Sequence, residues 1–190
     1  MAKNNTNFKK GFTIIEVVLV LAIAGLIFLM VFVALPALQR SQRDTARRND
    51  LSRVDTSLTQ YQTNNQNTDN GDLPAAGSWT ATEDGTFGTG GCGENTACRF
   101  VQRYMNSGTD SDTNTFKDPD GTYYSMDIQS ASAWSKDEIK DIVPAGNMNH
   151  IVYVVTGAKC TGEQAQKDTA RHYAVLYRLE GAGIYCIDDQ

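Results

Sequence analysis

One carboxylate in this sequence stands where a carboxylate is costly. Glu16 sits at the head of an apolar stretch, and Val17 to Leu35 is a run of 19 residues without a charge. An ionisable side chain at depth in a bilayer costs on the order of 2–3 kcal/mol, so its placement implies a partner of opposite charge. Elsewhere, four cysteines form two local pairs, Cys92/Cys98 and Cys160/Cys186, and the histidines are His150 and His172. There is no CxxC, and zinc sites need closer Cys/His spacing, so disulfides are expected rather than zinc. Four cysteines permit three pairings, of which 92–98 with 160–186 is favoured because both close locally. Asp110, Asp112 and Asn114 set oxygen ligands on alternate residues, as calcium loops do, and Asp118 and Asp120 follow close behind. Thr115 stands where such a loop normally has glycine, and acidic loops are usually solvated. Calcium at Asp110, Asp112, Asn114 and Asp118 is therefore the less favoured reading, and no other cofactor is expected.

The partner of Glu16 must meet it through the segment that carries it. At about 1.5 Å rise per residue, the uncharged run spans a hydrocarbon core of ~30 Å. Lys3, Lys9 and Lys10 precede it without an acid, which keeps residues 1–11 cytoplasmic. A secretory signal peptide has a shorter apolar core ending at small residues, and Leu38-Gln39-Arg40 is no such exit. A plain signal anchor fits the length but leaves Glu16 unexplained.

Lys10-Gly11-Phe12-Thr13-Ile14-Ile15-Glu16 resembles the cleavage box of type IV prepilins and pseudopilins. The resemblance implies that a membrane aspartyl peptidase cuts between Gly11 and Phe12 and methylates the new amino terminus. It also implies that Glu16 pairs with the Phe12 amine of a neighbouring subunit. The chemistry is consistent: the cut creates an ammonium that must be buried, and Glu16 is a counter-charge that makes burial tolerable between packed helices. Glycine before the cut lets the backbone enter a protease without a Cβ in the way. In one departure, Val33 stands where many pilins carry proline, and the nearby proline is Pro36. Pro36 removes a backbone donor and Gly25 weakens a helix by roughly 1 kcal/mol, so melting between Gly25 and Pro36 is expected in a filament.

Charge is unevenly placed along the 190 residues: residues 1–69 hold 8 of the 17 Lys+Arg and 5 of the 22 Asp+Glu, leaving the remainder strongly acidic. An acidic outer domain repels phosphate backbones, which disfavours nucleic acid as a partner. After Pro36, Leu51, Val54, Leu58 and Tyr61 make one apolar stripe on a helix reaching about Asn64. Arg40, Arg43, Arg47, Arg48 and Arg53 alternate with Asp44, Asp50 and Asp55, which reads as a solvated face with local ion pairs. The sharper alternative is that these arginines meet acids of adjacent subunits, or anionic lipid before assembly.

Residues 64–93, rich in Asn, Thr, Gly and Asp, read as loop. Cys98, Val101 and Met105 suggest a short helix within 96–106. Lys117-Asp118-Pro119-Asp120-Gly121-Thr122-Tyr123-Tyr124 resembles the Asp-Pro-x-Gly-x-x-Tyr turn that leads into the sheet of many pseudopilins and some pilins. Ser135-Lys136-Asp137-Glu138 has the form of a capping box and suggests a helix over 136–142. Strands are expected at 122–128, 151–156, 173–179 and 184–187, the last two joined as a hairpin by Gly181-Ala182-Gly183. Cys160–Cys186 would clip a 157–170 loop to the final strand. His150 and His172 flank strands, and Trp79 and Trp134 are expected to pack.

The fold class expected is α+β: a long N-terminal helix, transmembrane in its first half, on a four-stranded antiparallel sheet, the pilin fold. Its parts are a leader at 1–11, a transmembrane and assembly helix at 12–38, an amphipathic helix at 39–66 and a globular domain at 67–190. No catalytic set, P-loop, HExxH or nucleotide fingerprint appears, so an enzyme is not expected. The resemblance implies a single-pass protein of the cytoplasmic membrane that becomes part of an extracellular type IV pilus serving adhesion, twitching motility or DNA uptake. Its partners would be copies of itself, the prepilin peptidase, the assembly platform and motor, the membrane before assembly, and a host cell or surface. A minor pilin or a secretion or competence pseudopilin is the alternative, and a single-pass anchored domain the distant one.

Overall fold

The computed structural model describes residues 11–65, 73–83, 92–106, 116–144, 150–181 and 183–190. Helix α1 runs from Ile14 to Asn64, 51 residues, with Pro36 inside it. The chain divides into two compact units, Met1–Gln39 and Arg40–Gln190. In the first, large apolar side chains from Phe12 to Leu38 are exposed on every side of the helix. A helix apolar all round belongs in lipid or among other helices, and this one is long and apolar enough to cross a membrane. Beyond Arg40 the helix is one-sided. Leu51, Val54 and Leu58 are buried and Tyr61 packs against them, the stripe read from their spacing.

The second unit lays that stripe on a five-stranded sheet. Its strands are β1 (Gly77–Trp79), β2 (Ser125–Ser130), β4 (Ile151–Thr156), β7 (Tyr173–Arg178) and β8 (Ile184–Asp188), in the order β1-β2-β4-β7-β8. Met126, Ile128, Val152, Val154, Val175 and Tyr177 face the helix side of the core. Alternate residues, Tyr153, Val155, Ala174 and Leu176, form a second core on the opposite face. That face is covered by a smaller sheet of β3 (Ile139–Lys140), β6 (Gln164–Lys167) and β5 (Ala158–Thr161), in the order β3-β6-β5.

Several expectations are corrected here. The main sheet has five strands, not four, because Gly77–Trp79 within the expected 64–93 loop pairs antiparallel with β2. Three residues are too few to show a period. The sheet is also not wholly antiparallel: β2 and β4 run parallel, Ser125 opposite Ile151 through Ser130 opposite Thr156. The long 131–150 connection permits the crossover that parallel pairing needs. The expected 157–170 loop holds the β5–β6 hairpin, turned at Gly162 with φ +64°. No helix forms at 136–142. Glu138 does accept from the Ser135 amide at 2.6 Å, as in a capping box, but Asp137 has φ +59° and the chain enters β3 instead. The short helix α2 spans Thr96–Phe100 and is followed by a π-helical turn over Val101–Met105.

Both cysteine pairs are bonded locally, Cys92–Cys98 and Cys160–Cys186. The second joins β5 of the small sheet to β8, the edge of the large one. Asp188 accepts from the Cys160 amide at 2.7 Å on the same seam.

Candidate assembly site

In the first unit, Gly11, Phe12 and Thr13 precede the helix, and Phe12 is 89 % exposed. Among the described residues, nothing lies within 4 Å of where a Cβ at Gly11 would stand. Thr13 caps α1. Its amide and its hydroxyl donate to Glu16 Oε2 at 2.9 and 2.7 Å, and the Glu16 amide donates back to Thr13 Oγ1 at 3.4 Å. This is a reciprocal capping box. Its sequence signature is Thr13-x-x-Glu16, a second role for Glu16 beside its charge. The helix passes unbroken through Gly25 and Pro36.

In the second unit the arginine-rich part of α1 is not simply a solvated face. Arg47 is 1 % exposed and donates to both oxygens of Asp118, through Nε at 2.7 Å and Nη2 at 2.8 Å. Its Nη1 reaches Asp44 Oδ1 at 3.1 Å and Glu180 Oε2 at 3.4 Å. Arg43 forks onto Glu180 at 2.8 and 2.6 Å. Asp44 in turn accepts the amides of Glu180 and Gly181, each at 2.9 Å. The turn between β7 and β8 is thereby fastened to α1 within the same chain. Arg48 lies over the Tyr185 ring, 5.5 Å from its centroid. Apart from charge alternation, the sequence held no signal for this network, whose members are far apart along the chain.

The Asp-Pro-x-Gly turn supplies the acid. Gly121, at φ +95°, donates its amide to Asp118 O at 2.8 Å, closing the turn, and Thr122 O accepts from the Asp118 amide at 2.8 Å. Tyr124 follows into the core, and its hydroxyl donates to Asp50 Oδ2 at 3.1 Å. Asp118 also accepts from Tyr177 Oη at 3.0 Å and from the Asp120 amide at 3.0 Å. Burial works to raise the Asp118 pKa, but the Arg47 hydrogen bonds and charge prevail and hold it at about 2. Burial and the neighbouring Asp118 push the Tyr177 hydroxyl well above its ordinary range.

His150 stands beside this acid, with Nδ1 3.8 Å from Asp118 Oδ2 and Nε2 3.4 Å from Asp120 Oδ2. Asp118, Asp120 and His150 could offer ligand atoms within 4.8 Å of one another. Asp118, however, already accepts two hydrogen bonds on each oxygen. Asp110, Asp112 and Asn114 lie outside the described residues.

Residues 6–32 match the family described as the prokaryotic N-terminal methylation motif. The chain therefore carries the class III signal of a type IV pilin-like prepilin, with the apolar part of α1 as its membrane anchor. No curated protein and no solved structure matches it.

Proposed function

We propose that this chain is a structural subunit of a type IV pilus. It is cut between Gly11 and Phe12 by a prepilin peptidase, methylated at Phe12, and polymerised through α1 by an assembly platform and its motor. The observation that carries the reading is a single carboxylate, Glu16, one turn from the Gly11–Phe12 bond at the head of a helix whose apolar side chains are left exposed among the described residues. Copies of the same helix would cover that surface, and the Phe12 ammonium of a neighbour would neutralise Glu16. Arg43 and Arg47 of α1 are engaged by Glu180 and Asp118 within their own globular unit. Adhesion, twitching motility and DNA uptake are the uses such a filament would serve.

A pseudopilin is the second reading, and the turn at Asp118-Pro119-Asp120-Gly121 favours it, being the form common at the entrance to pseudopilin sheets. Intact-mass and N-terminal analysis of material sheared from the source cells tests the proposal. A chain starting at methylated Phe12 in long sheared fibres is the expected result. A chain starting at Met1 and confined to membranes would refute both processing and filament. A chain cut at Phe12 but absent from fibres would point to the pseudopilin.

A further inference from the structure

Two buried side-chain nitrogens have no hydrogen-bond partner among the described residues, His150 Nδ1 and Arg178 Nε. Both residues line the same small cavity in the globular unit, a space of about 10 Å³ whose wall includes Val143, Tyr153 and Tyr177. Protein interiors match nearly all such groups, with protein or with water. The nearest acid does not serve Nδ1. Asp118 Oδ2 lies 3.8 Å away, too far for a hydrogen bond, and already accepts from Arg47 and Tyr177. Both residues are anchored by other bonds. Arg178 Nη2 donates to Pro144 O at 2.9 Å, beside the same cavity. His150 has φ +50°, in the left-handed region, and its carbonyl accepts the Ser125 amide at 2.8 Å where the parallel β2–β4 pair begins. The match must therefore come to them.

We infer that one internal water molecule bridges Arg178 Nε and His150 Nδ1. Arg178 Nε can only donate, so the water oxygen accepts from it and one water proton goes to His150 Nδ1. A space of this size holds a single water and nothing larger, and it supplies the two polar partners that a buried water needs. An anion is disfavoured there by the Asp118 carboxylate beside Nδ1. The bridge also fixes the tautomer of His150, because the bond made at one ring nitrogen decides which nitrogen carries the proton. With Nδ1 accepting, the proton sits on Nε2, 3.4 Å from Asp120 Oδ2. Water and imidazole together then join β7, through Arg178, to the turn at Asp118-Pro119-Asp120-Gly121.

The test uses the full chain in detergent micelles, with histidine and arginine side chains labelled with nitrogen-15. Magnetic resonance is recorded at pH 8, where an ordinary imidazole is neutral. Two results are expected of the native chain: a single His150 tautomer protonated at Nε2, and a cross-peak from Arg178 Nε–H to water with the sign of a bound molecule rather than of proton exchange. Arg178→Met should release His150 to a mixture of tautomers and leave His172 unchanged. His150→Asn tolerates the left-handed backbone and offers an acceptor near the place of Nδ1, so it should keep the cross-peak, whereas His150→Leu should lose it. A proton on His150 Nδ1 in the native chain, or an Arg178 Nε–H without the bound-water cross-peak, would overturn the inference. A single Nε2 tautomer persisting in Arg178→Met would do the same. The native spectra decide the matter even where a variant fails to fold.

Discussion

Arg47 and Asp118, 71 residues apart in sequence, form a two-pronged ion pair that water does not reach, with side chains 2 % and 0 % exposed. Nε and Nη2 of the guanidinium each meet one carboxylate oxygen, at 2.7 and 2.8 Å. The pair joins α1 to the turn that starts β2, and Tyr177 of β7 donates to the same acid. Three elements therefore meet at one carboxylate.

Removing one side of such a pair leaves the other buried without compensation, at a cost of about 3–5 kcal/mol. Arg47→Met is expected to destabilise the protein by that amount in thermal or chemical denaturation. Adding Asp118→Asn to Arg47→Met should recover part of the loss, because the stranded charge is then gone. A double variant less stable than Arg47→Met alone would contradict this account.

The pair also sets an acid limit. Asp118 is held at about 2, below the ordinary carboxylate value, so its folded form binds a proton less readily than the unfolded chain. A depressed acid contributes stability that is complete above the unfolded pKa, near 4, and is lost as pH falls from there through about 2. The contribution is on the order of 2 kcal/mol. Asp50, which burial pushes upward, acts in the opposite sense and gains as pH falls. Denaturation midpoints from pH 6 to pH 2 should decline mainly below pH 4, and Asp118→Asn should flatten that decline.

The two disulfides should differ in weight. Cys160–Cys186 closes 26 residues and Cys92–Cys98 closes six. Loop-closure entropy assigns them roughly 3.5 and 2 kcal/mol. Cys160→Ser with Cys186→Ser is therefore expected to lower the melting temperature more than Cys92→Ser with Cys98→Ser. It should also expose β8, because the bond holds β5 against that edge, and the added edge would show as faster amide exchange over 184–188.

Inside a filament, α1 is expected to loosen between Gly25 and Pro36. The Pro36 ring leaves the fourth carbonyl before it without its amide donor, and Gly25 adds backbone freedom. The helix is continuous there in the single chain. Interrupted helical density over those residues in a filament reconstruction is the predicted outcome, and Pro36→Ala should restore it. Unbroken density in the native filament would remove the idea.

The sequence alone determined whatever depends on neighbours along the chain. The apolar run, Glu16 at its head, the Gly11–Phe12 box and the amphipathic turn of Leu51, Val54 and Leu58 are local patterns with a period or a motif. So are β4, β7 and β8, legible as short apolar runs with a glycine turn between the last two, and the two local cysteine pairs. The Ser135–Glu138 box failed as a helix signal because the backbone at Asp137 and the pairing of β3 with β6 overrode it. Only the tertiary structure decided that β2 and β4 run parallel, that β1 joins the edge, and that Arg47 is buried on Asp118 rather than solvated. Those depend on which distant segments meet. A charge in a sequence carries no record of its burial, since solvation is a property of the assembled surroundings and not of the residue.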